Sequence, residues 1–471
     1  KYDFALFNNL KGVGIWALGY DDGRPELWEL LHAKFGDTAP PTKPSNLYME
    51  NIGQGSIKIN FTGSENASDF IVLRGHLNVI GGLDTVGVFY DRPIIIDNLA
   101  EGDPYFLSIV ARNSLGSSEP TEMLGVVPSS NDVKALIVNG FDRVNGTNNT
   151  FDFIRQHGSA LHTHGLAFDA TSNEAVVNQQ INLLDYQFVD WILGEEGTST
   201  SVFSYSEQNK IVEYLESGKF LFISGSEIGY DLEEQGSDTD KSFYQNYLKA
   251  DYISDAAGGH QGVYSGYGLT NTMFEGVENI NYDNGSQGTY NVDWPDGIKP
   301  IGGASLCAAF TGTDYNSVGG MGIEYEGTFG LSNQTGGVVY LSVGFEAIYP
   351  ESIRNDLMLR VINKYESQLN IIDEIDIYPS NLKINNIYPN PSNNSITISF
   401  SISSRTSPIE LNIKNIIGQQ IYQTYIKPNS NTINWTWDGA DEKGFASPSG
   451  TYFISLIQKN SSQTKKITLL K

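Results

Sequence analysis

The sequence predicts a multidomain chain in which a β-sandwich, a doubly wound α/β layer and a second β-sandwich follow one another. Three observations predict it. The 471 residues exceed what a single core organises, so roughly two to four domains are expected. Short alternating apolar and polar runs, separated by turn residues, recur in residues 38–128 and 386–471, the pattern of half-buried strands. Between them, over residues 129–368, compact apolar runs alternate with amphipathic helical spacing, as parallel strands and their crossover helices require.

Composition narrows the function. Asp and Glu outnumber Lys and Arg by 55 to 29, a net charge of −26. Such a surface repels phosphate backbones, which argues against a nucleic-acid partner. It suits a soluble exported protein and leaves calcium open as a ligand. The single cysteine, Cys307, lies in an apolar run, so no internal disulfide forms and a buried inert thiol is expected. No stretch of apolar residues is long enough to span a membrane. The chain begins at Lys1, without Met or a signal peptide, and reads as a piece of something longer.

Residues 1–37 look like the tail of another domain. Gly12 to Tyr20 reads as a buried strand, Asp22-Gly23-Arg24-Pro25 as a turn, and Glu26 to Phe35 as a helix that stops at Gly36. One strand and one helix cannot bury a core alone. The run GIWALGYDDGRPELWELL resembles the last strand and helix of family-18 glycoside hydrolases, the chitinase-like (β/α)8 barrels. The resemblance implies that Trp16 floors a sugar subsite next to the scissile bond; the alternative is a core tryptophan. That family's DxxDxDxE signature does not occur here. Its nearest imitation, Asp373-Glu374-Ile375-Asp376, lacks the last acid, so any glycosidase acid belongs upstream.

Pro40 to Pro44 reads as an extended linker. Ser56–Phe61, Phe70–Arg74 and Tyr105–Ala111 then alternate as strands. With Leu99 and Tyr105 at tyrosine-corner spacing, Phe61 in place of the usual core tryptophan and an Ala111–Gly116 turn, residues 38–128 resemble a fibronectin type III module. The expectation is a spacer without chemistry.

In residues 129–368 the expected strands are Val133–Val138, Tyr186–Leu193, Lys219–Ser224 and Val338–Val343. Helices are expected at Ser206–Leu215, with Ser206 as cap, and at Ser352–Tyr365. Ligands of such sheets sit at the strands' carboxyl ends. NGFDR at 139–143, LGEEG at 193–197, SGSEIG at 224–229 and GFEAI at 344–348 resemble the xanthan-lyase-like, glutamine-amidotransferase-like (flavodoxin-type) domains of secreted Bacteroidota proteins. The chemistry of that class is missing. The nucleophile-elbow frame Gly225-Ser226-Glu227-Ile228-Gly229 carries Glu227 where a nucleophile belongs. Gly344-Phe345-Glu346 has no histidine. Glu195, Glu196, Glu227 and Glu346 fall at predicted carboxyl ends. Such a rim holds a cation or other ligand, or supplies a sugar-cleaving carboxylate pair; its structural alternative is capping and pairing with Arg143. No catalytic residue is assigned beyond the candidates Glu227, Glu195 and Glu346.

Smaller signals follow. His162 and His164 fall on one side of an expected strand, too few for a zinc site. Residues 165–176 read as a loop. Gly236 to Asp240 faintly suggests a calcium loop without EF-hand spacing. Residues 255–335 read as Gly- and Tyr-rich loops, in which Tyr264, Tyr267, Tyr290 and Trp294 either stack on sugars or pack. No metal centre or cofactor is assigned.

Residues 369–385 read as a linker. Strands are expected at Ser395–Ser401, Ile409–Lys414, Gln420–Ile426, Tyr452–Gln458 and Lys466–Leu470. Tyr388-Pro389-Asn390-Pro391, Gly418 before Ile421, Gly450 with Tyr452, and the basic end with Lys465, Lys466 and Lys471 together resemble the type A sorting domain of type IX secretion, an immunoglobulin-like sandwich. That resemblance implies passage through the periplasm, binding to outer-membrane shuttle and translocon proteins, and delivery to the cell surface or medium. The functional expectation is the non-catalytic end of a glycan-active hydrolase, with polysaccharide as an open partner. Its alternatives are an adhesive surface protein with a degenerate barrel, and glycan or cation binding by the α/β domain.

Overall fold

The computed structural model describes all residues except 1, 9, 11–12, 15–25, 37–38, 77–78, 198–200, 257–261, 370–381, 394, 402–408, 428–431, 442, 459–460 and 471. Trp16, Lys471, the acids at 373–376 and most of the expected linker therefore lie outside the described residues. Two compact units are present: residues 1–162 with 167–361, and residues 163–166 with 362–471. The N-terminal helix Glu26–Phe35 has the expected bounds. Among the described residues no helix is long and apolar enough to cross a membrane.

In the first unit a β-sandwich comes first. One layer holds β1 (Ser45–Gly53), β2 (Ser56–Thr62) and β5 (Ile94–Ile96). The other holds β3 (Asp69–His76), β4 (Val79–Phe89), β6 (Tyr105–Asn113), β7 (Gly116–Ser117) and β8 (Leu124–Val126). Alternation buries Ile57 and Ile59 on one layer against Phe70 and Val72 on the other. The corner tyrosine is in place, since Tyr105 accepts from the Ala100 amide through its hydroxyl at 2.9 Å.

Five parallel strands follow: β9 (Ala135–Asn139), β10 (Phe168–Ser172), β11 (Phe188–Gly194), β12 (Phe220–Gly225) and β19 (Thr335–Leu341). They lie side by side in the order β10-β9-β11-β12-β19. Residues on both faces of β9, β10 and β11 are buried, as expected of a sheet covered on both sides. Helices Ile154–Thr163, Asn173–Val177 and Tyr205–Glu216 connect them. Antiparallel β18 (Gly322–Thr328), β17 (Ser305–Phe310), β14 (Ser265–Gly268), β15 (Ile280–Tyr282) and β20 (Ile348–Tyr349) extend the sheet beyond β19, while β13 (Ala250–Ser254) pairs with β16 (Gly297–Pro300) apart from it. Cys307 is buried in β17.

The sandwich is joined to the parallel strands through the backbone. β1 pairs antiparallel with β10, Tyr48 opposite Thr171 and Met49 opposite Ala170, so thirteen strands run as one sheet through both modules. The reason lies in β10, whose outer edge would otherwise present unpaired amides and carbonyls. Side chains strengthen the junction. Phe106 of the sandwich packs 6.4 Å from Phe168, and Arg155 donates to the His76 carbonyl at 2.8 Å.

Several expectations are corrected. Residues 165–176 are not a loop: they hold β10 and the helix Asn173–Val177. The pattern hid because Asp169 and Thr171 interrupt the apolar run. Both are buried, and Asp169 accepts from the Asn51 amide and the Tyr186 hydroxyl, each at 2.8 Å. His162 belongs to the last turn of a helix instead of a strand. The cap of Tyr205–Glu216 is Ser204, which closes a capping box with Glu207. Ser237 and Asp240 form another capping box on the helix Asp238–Phe243, which commits to a helix start the carboxylate a calcium loop would need.

The second unit is a two-layer sandwich. β21 (Lys383–Tyr388), β22 (Ile396–Ser401) and β25 (Thr432–Trp437) form one sheet. β23 (Ile409–Asn415), β24 (Gln420–Ile426), β26 (Gly450–Gln458) and β27 (Ser461–Leu469) form the other. Ile398, Phe400, Leu411, Ile413, Trp437, Ile454 and Ile467 meet between them. β21 starts at Lys383, inside the expected linker, and β25 was not anticipated.

Candidate functional sites

In the C-terminal module the motif residues act on one another through the backbone. Asn390, within Tyr388-Pro389-Asn390-Pro391, donates to the Lys466 carbonyl at 3.2 Å and accepts from the Thr468 amide at 2.9 Å. Its amide thus stands in for a strand residue beside β27, and Ser392 continues with a parallel bridge to Leu469. Gly418 takes φ +82° in the hairpin between β23 and β24, a conformation costly for a side chain. Tyr452 donates to the Pro448 carbonyl at 2.7 Å and packs edge-on against Trp437, ring centroids 5.4 Å apart. Gly450 opens β26 opposite Leu469. Lys465 and Lys466 lie on β27 opposite Ile454 and Phe453. Ile416 and Ile417, at the tip of the β23–β24 hairpin, are 71% and 73% exposed.

In the first unit the strand order reverses between β9 and β11, and a crevice at such a point takes ligands beyond the carboxyl ends. A cleft of about 330 Å³ lies there, lined by Gly146, Thr147, Asn148, Glu195, Tyr290, Asn291 and Asp293. A larger one, of about 530 Å³, includes Val133, Lys134, Asp185 and Tyr186. These residues precede β9 and β11, so it sits at the amino ends, away from the predicted rim.

Glu195 and Glu227 are both placed at this rim. Arg143 Nη1 donates to the carbonyls of Glu195 at 2.9 Å and Gly197 at 2.7 Å, and lies 3.6 Å from Glu227 Oε2. Burial lifts the Glu195 carboxyl to about 7; the Thr147 hydroxyl and Arg143 pull it down, while Asp293 and Glu227 push it up. Glu227 has φ +61°, uncommon for a residue with a side chain. A Cβ on Gly197 would lie 2.6 Å from the Glu227 Cβ, so glycine is what lets this turn close. Ser226 is buried and turned toward the Gly194 carbonyl at 3.3 Å. Glu196 is a structural acid: one oxygen accepts from the amides of Asp142 and Arg143, both at 2.7 Å.

Glu346 does not join the rim. It is buried, with His157 Nε2 at 3.1 Å and the Tyr290 hydroxyl donating at 2.5 Å. His157 Nδ1 lies 2.8 Å from Asp190 Oδ2. An imidazole with a carboxylate at each nitrogen donates from both, and so carries a positive charge. Burial opposes that charge, but Asp190 and Glu346 outweigh it and hold His157 up to about 9. Sequence reasoning missed this group. Its partners stand 33 and 189 residues away, and a lone histidine in a helix signals nothing.

Tyr290 connects that core to the cleft it lines. Its ring meets Phe141 and Phe153 edge-on at 5.5 and 5.4 Å, which makes it a packed wall instead of an exposed stacking platform. Among the described residues no group of three or more His, Cys, Asp or Glu is placed to hold a metal ion.

Residues 386–470 match the model of the secretion system C-terminal sorting domain family. A search of the curated proteins returns no match. Among solved structures the chain is similar to FN3tt, at 12% identity over 20% of this chain and 100% of that one, with a TM-score of 0.18. It is similar to the fibronectin type III domain of human fibronectin type III domain containing protein 3, at 17% identity over 20% of this chain and 93% of that one, with a TM-score of 0.18. It is also similar to PorZ of Porphyromonas gingivalis, described as an essential bacterial surface component of the type-IX secretion system. There the identity is 18% over 18% of this chain and 11% of that one, with a TM-score of 0.15.

Proposed function

We propose that this chain is a cargo of type IX secretion whose residues 386–470 direct export and whose upstream modules are what the cell displays or releases. The observation that carries the reading is the match of that segment to a secretion sorting domain. The bonding of Asn390 to β27 supports it, because it gives the motif a folding role inside one module. The partners are the outer-membrane shuttle and translocon proteins of that pathway, and the destination is the cell surface or the medium.

In this reading residues 38–128 are a fibronectin type III module and residues 129–368 an amidotransferase-like, flavodoxin-type domain without that class's cysteine and histidine. The order of the five parallel strands supports the second assignment. Residues 1–37 are read as the end of a chitinase-like barrel, which makes the exported parent glycan-active.

The test is expression of the full chain, and of the chain without residues 382–471, each behind the same added secretory signal peptide, in a bacterium with a working type IX system and in a translocon-deficient strain. The full chain reaches the surface or medium only in the competent strain, and the shortened chain stays in the periplasm in both. Export of the shortened chain would overturn the proposal.

A further inference from the structure

We infer that the tip of the β23–β24 hairpin, with the strand ends beside it, docks on another protein, an export-machinery component that offers an apolar pocket with an acidic rim. The inference rests on the reading of residues 386–470 as an export signal and names the surface that is recognised.

The tip is built to project two apolar side chains. Asn415 Oδ1 accepts from the amides of Ile417 at 3.1 Å and Gln419 at 3.0 Å, and its Nδ2 donates to Gln419 Oε1 at 2.9 Å. The Asn415 carbonyl accepts from the Gly418 amide at 3.0 Å. Between these ties stand Ile416 and Ile417, 71% and 73% exposed. Turn positions usually carry glycine or polar residues, and apolar side chains held in water are unfavourable. The module's own core makes no use of them: Ile421 and Tyr422 of the next strand pack against it, and neither tip residue does. A turn already fixed by hydrogen bonds loses little conformational freedom on binding, so its side chains serve as ready anchors.

A second feature is the row beside the tip. Ile413, Tyr452, Ile454 and Ile467 are buried, so Lys414, Phe453 and Lys466 face outward. They stand in register on β23, β26 and β27, Lys414 opposite Phe453 and Phe453 opposite Lys466. Phe453 is 38% exposed, and on the described strands no acidic residue lies opposite either lysine. The row spans about 10 Å across three strands and begins two residues before Ile416.

Charge selects the occupant. Residues 382–471 hold nine Lys and Arg against four Asp and Glu, whereas residues 1–381 hold 20 against 51. The module is a basic body in an acidic chain, and an acidic surface attracts it selectively. A second copy of the module presents the same lysines and is repelled. An anionic lipid surface is held by clusters of roughly four to eight basic residues or by an amphipathic helix, and Lys414, Lys465 and Lys466 are too few. A pocketed protein fits both features: its pocket takes Ile416 and Ile417, and its acidic rim meets Lys414 and Lys466.

The experiment uses the full chain behind the added signal peptide in the competent strain. Ile416→Ser with Ile417→Ser reduces the exported fraction roughly tenfold, while the purified variant keeps its thermal midpoint, because neither side chain belongs to the core. Phe453→Thr reduces export about threefold. Ile457→Thr is the control: that residue lies on the same strand and face, 37% exposed and outside the patch, and its variant is exported normally. p-Benzoylphenylalanine in place of Ile417, irradiated in intact competent cells, gives an adduct with one other protein, weakened by Lys414→Glu with Lys466→Glu. The inference alone falls if the unsubstituted chain is exported and the double serine variant is exported equally. It falls also if Ile457→Thr is as damaging, or if the adduct is with lipid, with a second copy or within the chain. If the unsubstituted chain is itself not exported, the export reading falls first and this inference with it.

Discussion

His157 and Asp190 meet across 2.8 Å, both shielded from water, one on a crossover helix and the other in the middle of β11. Glu346 closes the opposite side of the imidazole, while Asp190 Oδ1 has no hydrogen bond among the described residues. Removing the imidazole leaves two buried carboxylates facing one another. His157→Ala is expected to cost about 3–5 kcal/mol. The folded value near 9 lies above the ordinary 6.5, so this stabilisation is complete below pH 6.5 and is lost as pH rises through 9. Urea unfolding of both proteins at pH 6 and pH 9.5 checks it: the gap between them narrows at the higher pH.

Glu195 carries the opposite sign. Its folded value of about 7 lies above the ordinary 4.5, and for an acid this means that ionisation destabilises the fold. The penalty is absent below pH 4.5, grows between 4.5 and 7, and is constant above 7. Glu195→Gln is expected to stabilise the protein at pH 8 by about 1–3 kcal/mol and to have little effect at pH 4. Thermal melts at the two pH values decide it.

Because β1 completes the sheet of the parallel strands, the sandwich and the α/β domain unfold together. Phe106→Ala removes the ring that packs on Phe168 and is expected to cost about 3–5 kcal/mol. Calorimetry shows one transition for the pair, displaced to lower temperature in the variant. Two resolved transitions would contradict the shared core.

In the C-terminal module, Asn390→Ala removes both bonds that hold the motif to β27. A loss of about 1–2 kcal/mol is expected. Faster hydrogen exchange at the Thr468 amide is the local readout.

Lys465 and Lys466 stand on β27 in a chain of net charge −26. The double change Lys465→Glu and Lys466→Glu is expected to reduce export several-fold while the module stays folded, because it reverses a local attraction at the secretion machinery. Unchanged export would remove the electrostatic role.

Where burial and periodicity coincide, the sequence was legible. β9, β11, β12 and β19 were expected to within about three residues, because a strand covered on both faces reads as one apolar run. β10 was not, because a buried Asp169 and Thr171 imitate a loop until their partners Asn51 and Tyr186 are known. The same limit governs the site. Glu195 and Glu227 were reached through the rule about carboxyl ends. The placement of Glu346 beside His157, and of Thr147 and Asn148 around Glu195, depends on contacts between distant segments that no local pattern encodes. The motif residues of the C-terminal module were legible for the converse reason: Gly418 and Asn390 do their work within a turn or along one strand pairing.

The antiparallel junction between β1 and β10 sets where this protein can be cut. A fragment that starts at residue 129, the boundary that linear sequence suggests, would strip β10 of its neighbour and leave its backbone amides and carbonyls open to other chains. Its yield would then report self-association more than fold. Expression boundaries for the α/β domain belong before Ser45, and any natural rearrangement that shuffles these modules has to carry both together.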